Sequence, residues 1–158
     1  MTGDALWYFA YGSNMSGAIL RERRGLTPLA CRPATLADYR LVFTLPIGPG
    51  ERGVANVEPA RGVSICGVLY LLSAEDCERL DRTEGVPRFY QRHAVEVVAS
   101  DGERVPAYTY WSEFRADGRK PSARYLGLLL DGCREHCLPA EWVAYLEALP
   151  LAVDERLA

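Results

Sequence analysis

Apolar positions fall into short runs separated by Gly, Pro and polar clusters, and the period within each run changes along the chain. Residues 7–11 form an aromatic run, which suits a pleated, half-buried surface and predicts a buried strand. Residues 31–36 and 39–45 read as two strands around Asp38, or as one long bent strand. Further strands are predicted at 54–57 and 65–72, the second almost continuously apolar. The stretch 47–53 is crowded with Gly and Pro and predicts a loop, a flexible rim for any site nearby. Asp101-Gly102 lies between alternating runs at 92–100 and 103–111 and is the strongest hairpin signal. Counting back from a two-residue turn pairs Val95 with Tyr108 and His93 with Tyr110 on one face. Helical spacing is read at 15–24, in a segment starting at Ser73, and at 122–137 and 139–148, while 112–120 is polar and loose. Antiparallel hairpins with segregated helices predict an α+β fold, not a doubly wound parallel sheet.

Two element ends carry candidate chemistry. Tyr8-Phe9-Ala10-Tyr11-Gly12-Ser13-Asn14-Met15 runs from the first strand through a turn into the first helix. Gly12 allows a backbone conformation closed to other residues there, and Ser13 or Asn14 can cap the helix. Such a turn points several amide N–H groups into one space, a means of holding an anion or oxyanion without a charged side chain. The second end is Leu80-Asp81-Arg82-Thr83-Glu84-Gly85-Val86-Pro87. Ser73 as N-cap and Asp76 at the third helical position form a capping box, Gly85 suits the left-handed position after the helix, and Pro87 stops it. Cys77, Leu80 and Glu84 share one helical face, so the inward stripe ends in a carboxylate. Burial and the negative end of the helix dipole both raise the pKa of such a group towards neutrality, as proton transfer in both directions requires.

These motifs together resemble the γ-glutamylcyclotransferase family. The resemblance rests on Tyr11-Gly12-Ser13-Asn14, Leu80-Asp81, Glu84-Gly85-Val86, Tyr90, Tyr108, Pro121-Ser122 with Tyr125, Gly132, Leu138-Pro139 and a final helix, over residues 6–149. It implies a small, mostly antiparallel barrel-like sheet flanked by helices, and a role in glutathione metabolism. It also implies that Tyr11, Gly12, Ser13 and Asn14 hold a glutamyl head and that Glu84 is the general acid/base. Tyr90 and Tyr108 would orient either end of the substrate. The implied partner is a small γ-glutamyl compound whose own α-amine attacks the γ-carbonyl to give 5-oxoproline. The segment Pro87-Arg88-Phe89 departs from the longer, smaller-residue loop of some members. The rival from another class is a non-catalytic ligand-binding module on the same fold.

Composition narrows the alternatives. At 158 residues the chain is expected to be a single domain, and a net charge of −3 favours neither nucleic acid nor an anionic membrane as partner. Arg21, Arg23 and Arg24 read as a solvated helix face. No leader peptide or bilayer-spanning stretch is apparent. Five scattered cysteines suit a reduced cytoplasm. Cys133 and Cys137 beside His136 lack the second ligand pair that a tetrahedral metal needs, so no metal or organic cofactor is expected. His93 has no evident Ser or Cys partner for a hydrolase triad. Asp81 reads as an ion-paired helix residue and not as half of a carboxylate pair with Glu84.

Overall fold

A computed structural model describes residues 4–153. Its strands are β1 (Leu6–Ala10), β2 (Ala30–Pro46), β3 (Gly53–Leu72), β4 (Gln91–Ala99) and β5 (Arg104–Trp111). They close into a barrel in the order β1-β3-β2-β4-β5. The helices are α1 (Ala74–Thr83), α2 (Ala123–Glu135) and α3 (Ala140–Glu147). β1 pairs antiparallel with β3 and parallel with β5, where Tyr8 meets Tyr108; the other pairs are antiparallel. The architecture is the α+β, mostly antiparallel barrel expected. Phe9, Val57, Leu69 and Leu72 of the strands and Leu80, Leu129 and Leu146 of the helices are fully buried in one core.

β2 is a single long strand, bent at Asp38, which takes a positive φ of 65° and shifts the register between Ala37 and Tyr39. Its carboxylate accepts the Gly62 N–H at 3.0 Å, which offsets the lost ladder bond. β3 likewise joins the two segments predicted at 54–57 and 65–72. Residues 61–64 between them are exposed, so no apolar period marks them; Ser64 pairs with Ala37 and Pro59 with Tyr39, which carries β3 across the irregularity opposite Asp38.

The β4–β5 register differs by one residue from that expected. Ala94 faces Tyr108, Val95 faces Ala107, His93 faces Thr109 and Arg92 faces Tyr110. The loop contains three residues, Ser100-Asp101-Gly102, with the Gly102 N–H on Ala99 O at 2.8 Å. Only Gly102, at φ 91°, is left-handed, whereas a two-residue turn would need Asp101 there as well. Because opposite residues share a face, the extra residue separates Tyr108 and Tyr110 from Val95 and His93.

The first helix is also divided. A 3₁₀ turn at Ser13–Met15 ends on extended Ser16, and Ile19–Arg23 forms a π-helical turn after it. The cap is Ser16, whose Oγ accepts from Ile19 N at 3.4 Å; neither Ser13 nor Asn14 caps through its side chain. The capping box on α1 is half formed. Ser73 Oγ accepts from Asp76 N at 3.1 Å, but the Asp76 carboxylate instead takes the Thr27 N–H at 2.9 Å and Arg79 at 2.8 Å. The loop after β2 is tied and not free. Arg119 donates to the carbonyls of Gly48 and Arg52 at 2.9 Å each, and Lys120 N donates to Glu51 O at 2.7 Å.

Helix α2 backs the turn after β1 through Gly132, where a Cβ would lie 2.6 Å from Met15 Cβ and 2.8 Å from its carbonyl carbon. Gly127, on the same helix, has nothing within 4 Å of a Cβ position. Gly127→Ala is therefore expected to raise stability by about 0.5–1 kcal/mol. Gly132→Ala is expected to lower it by about 1–3 kcal/mol, because backbone must shift. Thermal melts of the two variants check this, and equal responses would show that the Gly132 contact is not tight.

Candidate active site

The C-terminus of α1 is a complete Schellman motif, with Gly85 N on Arg82 O at 3.2 Å and Val86 N on Asp81 O at 3.1 Å. Gly85 takes φ 68°, the left-handed conformation that the motif asks of its residue after the cap. Glu84 is the cap residue, one turn above buried Leu80 and two above buried Cys77. The helix thus delivers a carboxylate to the rim of its own buried stripe.

Facing it is Asn14, itself only 5% exposed. Its Nδ2 donates to Glu84 Oε1 at 2.6 Å and to the Tyr8 hydroxyl at 3.0 Å, while its Oδ1 accepts from Arg24 Nε at 3.1 Å. Both amide hydrogens and the carbonyl are used, which sets the orientation of the side chain. Burial pushes the Glu84 pKa up; the Arg24 charge and the Asn14 hydrogen bond pull it down, and the net shift is upward. The negative end of α1 acts in the same sense as burial.

These groups line a cavity of about 570 Å³ with Tyr8, Tyr11, Gly12, Ser13, Tyr90, Tyr110 and Tyr125. Tyr11 donates to Tyr110 O at 2.6 Å and Tyr90 to Ala55 O at 2.7 Å, so each hydroxyl keeps only accepting capacity. The Tyr125 hydroxyl accepts from Ala55 N at 3.0 Å. Met15 N and Ser16 N close the turn on Gly12 O and Ser13 O; among the described residues, no backbone carbonyl outside the regular elements accepts from the amides of Gly12, Ser13 or Asn14.

Of the residues singled out from sequence, Tyr11, Gly12, Ser13, Asn14, Glu84 and Tyr90 meet in this cavity. Tyr108 does not line it. The Tyr108 ring packs 5.5 Å from those of Tyr8 and Tyr110, with the Arg92 guanidinium 4.7 Å from its centroid. Tyr110, two residues on, takes the wall position and donates to Asp81. Asp81 is ion-paired with Arg92 at 2.8 Å. Gly12 is not left-handed, since its φ is −114°. What it supplies is room, because a Cβ would lie 3.2 Å from Tyr125 Oη and 3.4 Å from Ala55 Cβ.

Sequence reasoning missed Tyr8, Arg24 and Tyr110. Arg24 shares its sequence cluster with Arg21 and Arg23, which are exposed, but it is half-buried and donates to Asn14. Cys133 is buried while Cys137 is exposed, and His136 bonds Tyr70 at 3.1 Å. No cluster of three or more His, Cys, Asp or Glu suited to a metal occurs among the described residues. No described helix is long and apolar enough to cross a membrane.

A family model described as "Gamma-glutamyl cyclotransferase, AIG2-like" matches residues 8–126, a span that contains every site group above. The chain belongs to this family. The γ-glutamyl cyclotransferase gliK of Aspergillus fumigatus is 32% identical over 174 residues, covering 92% of this chain, which spans 62% of that relative's length. The γ-glutamylcyclotransferase of Bos taurus is 28% identical over 155 residues, covering 93% of this chain and 80% of its own. A solved γ-glutamyl cyclotransferase structure superposes with a TM-score of 0.82 at 23% identity, over 98% of this chain and 96% of its own, and supports the fold. In this member of the cyclotransferase enzyme family the half-buried Glu84 accepts from Asn14, whose carbonyl in turn accepts from Arg24.

The Glu84 carboxyl should titrate above the ordinary glutamate value, since burial outweighs its two stabilising neighbours. Arg24→Met removes a positive charge that favours the ionised form, so the midpoint should move higher still. Side-chain carbon NMR titration of Glu84 in both proteins reads the two midpoints. A downward shift in the variant would overturn the role given to Arg24.

Proposed function

We propose that the chain converts a γ-glutamyl amide or peptide into 5-oxoproline and a free amine, with Glu84 as general acid and base. The observation that carries this reading is the half-buried Glu84 carboxyl, its pKa raised by burial, bonded to Asn14 at the wall of a cavity shared with Tyr11, Gly12 and Ser13.

The substrate supplies its own nucleophile, so holding the glutamyl chain folded for ring closure contributes much of the acceleration. Glu84 takes a proton from the α-ammonium, and the freed nitrogen attacks the γ-carbonyl carbon. The ring C–N bond forms, the bond to the departing nitrogen breaks, and Glu84 returns protons to that nitrogen. The α-ammonium gives up two protons in becoming a lactam N–H, and the departing nitrogen gains two as an ammonium. The step is therefore proton-neutral and needs no metal or organic cofactor. The amides of Gly12, Ser13 and Asn14 hold the α-carboxylate or the developing oxyanion. Tyr11 and Tyr90, whose hydroxyl hydrogens are bound to carbonyls, offer lone pairs to the α-ammonium. A reducing compartment such as the cytoplasm belongs to the same reading, since the described cysteines are free.

Glu84→Gln keeps shape and hydrogen bonding but cannot accept a proton. Release of 5-oxoproline from a panel of γ-glutamyl compounds should fall by about a hundredfold or more in the folded variant. Near-normal turnover would sink the assignment, and tight binding without product in the native protein would favour a binding module.

The turn is tested from the substrate side and from the protein side. A γ-glutamyl compound acetylated on the α-nitrogen, or an α-linked glutamyl dipeptide, should yield no 5-oxoproline even at high concentration, because neither presents the required nucleophile and carbonyl. Gly12→Val, whose Cβ already meets Tyr125 and Ala55, should abolish both turnover and glutamate binding by calorimetry. Unchanged affinity and rate in that variant would move the glutamyl head elsewhere.

A further inference from the structure

The cavity wall has a second character next to its polar one. Leu45, Pro46, Ile47, Val54 and Phe89 contribute an apolar lining. Ile47 and Phe89 leave 41% and 42% of their surface exposed. Neither is loosely placed. Ile47 N donates to Arg52 O at 3.0 Å, in the loop that Arg119 ties down. Phe89 N donates to Gly85 O at 2.9 Å, and its ring lies over Gly85, where a Cβ would come within 2.6 Å of Cδ2. The ring is thus held beside the residue that follows Glu84. It stacks on Phe114 at 6.2 Å and 23°, with the Arg88 guanidinium 5.1 Å from its centroid. An aromatic ring held in water at the mouth of a cavity leaves apolar area that an incoming apolar group would cover.

Charge limits the occupant further. Arg24 and Arg82 line the cavity, and among its described lining residues Glu84 is the only acid. With Glu84 engaged at the reacting nitrogens, no carboxylate remains for a cation carried by the departing group.

We propose that Phe89 and Ile47 form a leaving-amine subsite selecting γ-glutamyl amides whose amine carries a large apolar, aromatic substituent and no positive charge. This rests on the cyclotransferase reading above. The segment Pro87-Arg88-Phe89 is then a specificity element, with Phe89 its contacting residue.

The test compares kcat/KM, from 5-oxoproline release, for γ-glutamyl-phenylalanine, γ-glutamyl-alanine and γ-glutamyl-putrescine. The phenylalanine compound should exceed the alanine one by about tenfold or more, and the putrescine compound should be slowest. In Phe89→Ala the phenylalanine-to-alanine ratio should fall towards one, with Phe89→Leu between the two; thermal melts of both verify folding. A flat ratio in the native protein, a ratio that survives in Phe89→Ala, or putrescine as the best substrate overturns the subsite alone. No 5-oxoproline from any γ-glutamyl compound overturns the cyclotransferase reading and the subsite with it.

Discussion

Withdrawing an ionisable carboxyl, that of half-buried Glu84, partly from water is the constraint around which this site is arranged. An isolated carboxylate taken out of water costs several kcal/mol, so its surroundings must either neutralise it or supply donors. Here the supply comes from one short hydrogen bond, Asn14 to Glu84 at 2.6 Å, which joins the turn after β1 to the end of α1. Asn14 is in turn held by Tyr8 and Arg24. One amide side chain therefore links strand, turn, π-helical segment and helix. That single donor and the Arg24 charge offset only part of the cost of burial, so the pKa of the carboxyl stays raised.

The barrel makes that bond possible. β1 is inserted between β3 and β5, so its exit is set by pairing on both sides. Helix α2 then supports the turn from behind: Gly132 admits Met15 closely, and Glu135 accepts the Gly17 N–H at 2.9 Å. The Schellman motif positions Glu84 from the other side. Each end of the Asn14–Glu84 bond rests on backbone hydrogen bonds, so neither partner depends on side-chain packing alone.

Tyrosines complete the environment. Burial raises the hydroxyl pKa of Tyr8, Tyr11, Tyr90, Tyr110 and Tyr125, the last to about 12. They stay neutral across the working range, and their donors are committed to carbonyls and to Asp81 where the structure records them. Within this wall Glu84 is the carboxyl whose pKa burial raises above its ordinary value, and Arg24 and Arg82 line the same cavity.

Local patterns in the chain determined the element types and the ends of α1. Ser73, Gly85 and the Cys77–Leu80–Glu84 stripe act through neighbours within a turn or two, so their roles are legible from spacing. The Tyr-Gly-Ser-Asn motif likewise announced its turn. Tertiary structure alone decided the rest. Arg24 differs from Arg21 and Arg23 only in what the fold places opposite it, and no local signal separates the three. Tyr108 and Tyr110 project from the same face of β5, so strand periodicity does not separate them; their positions along the barrel put Tyr110 in the cavity wall and leave Tyr108 out of it. Asp76 left its capping box because Thr27, distant in sequence, offered a better-placed amide. Contacts that close over many residues depend on where the barrel brings its strands, and a one-dimensional pattern carries periods but not partners.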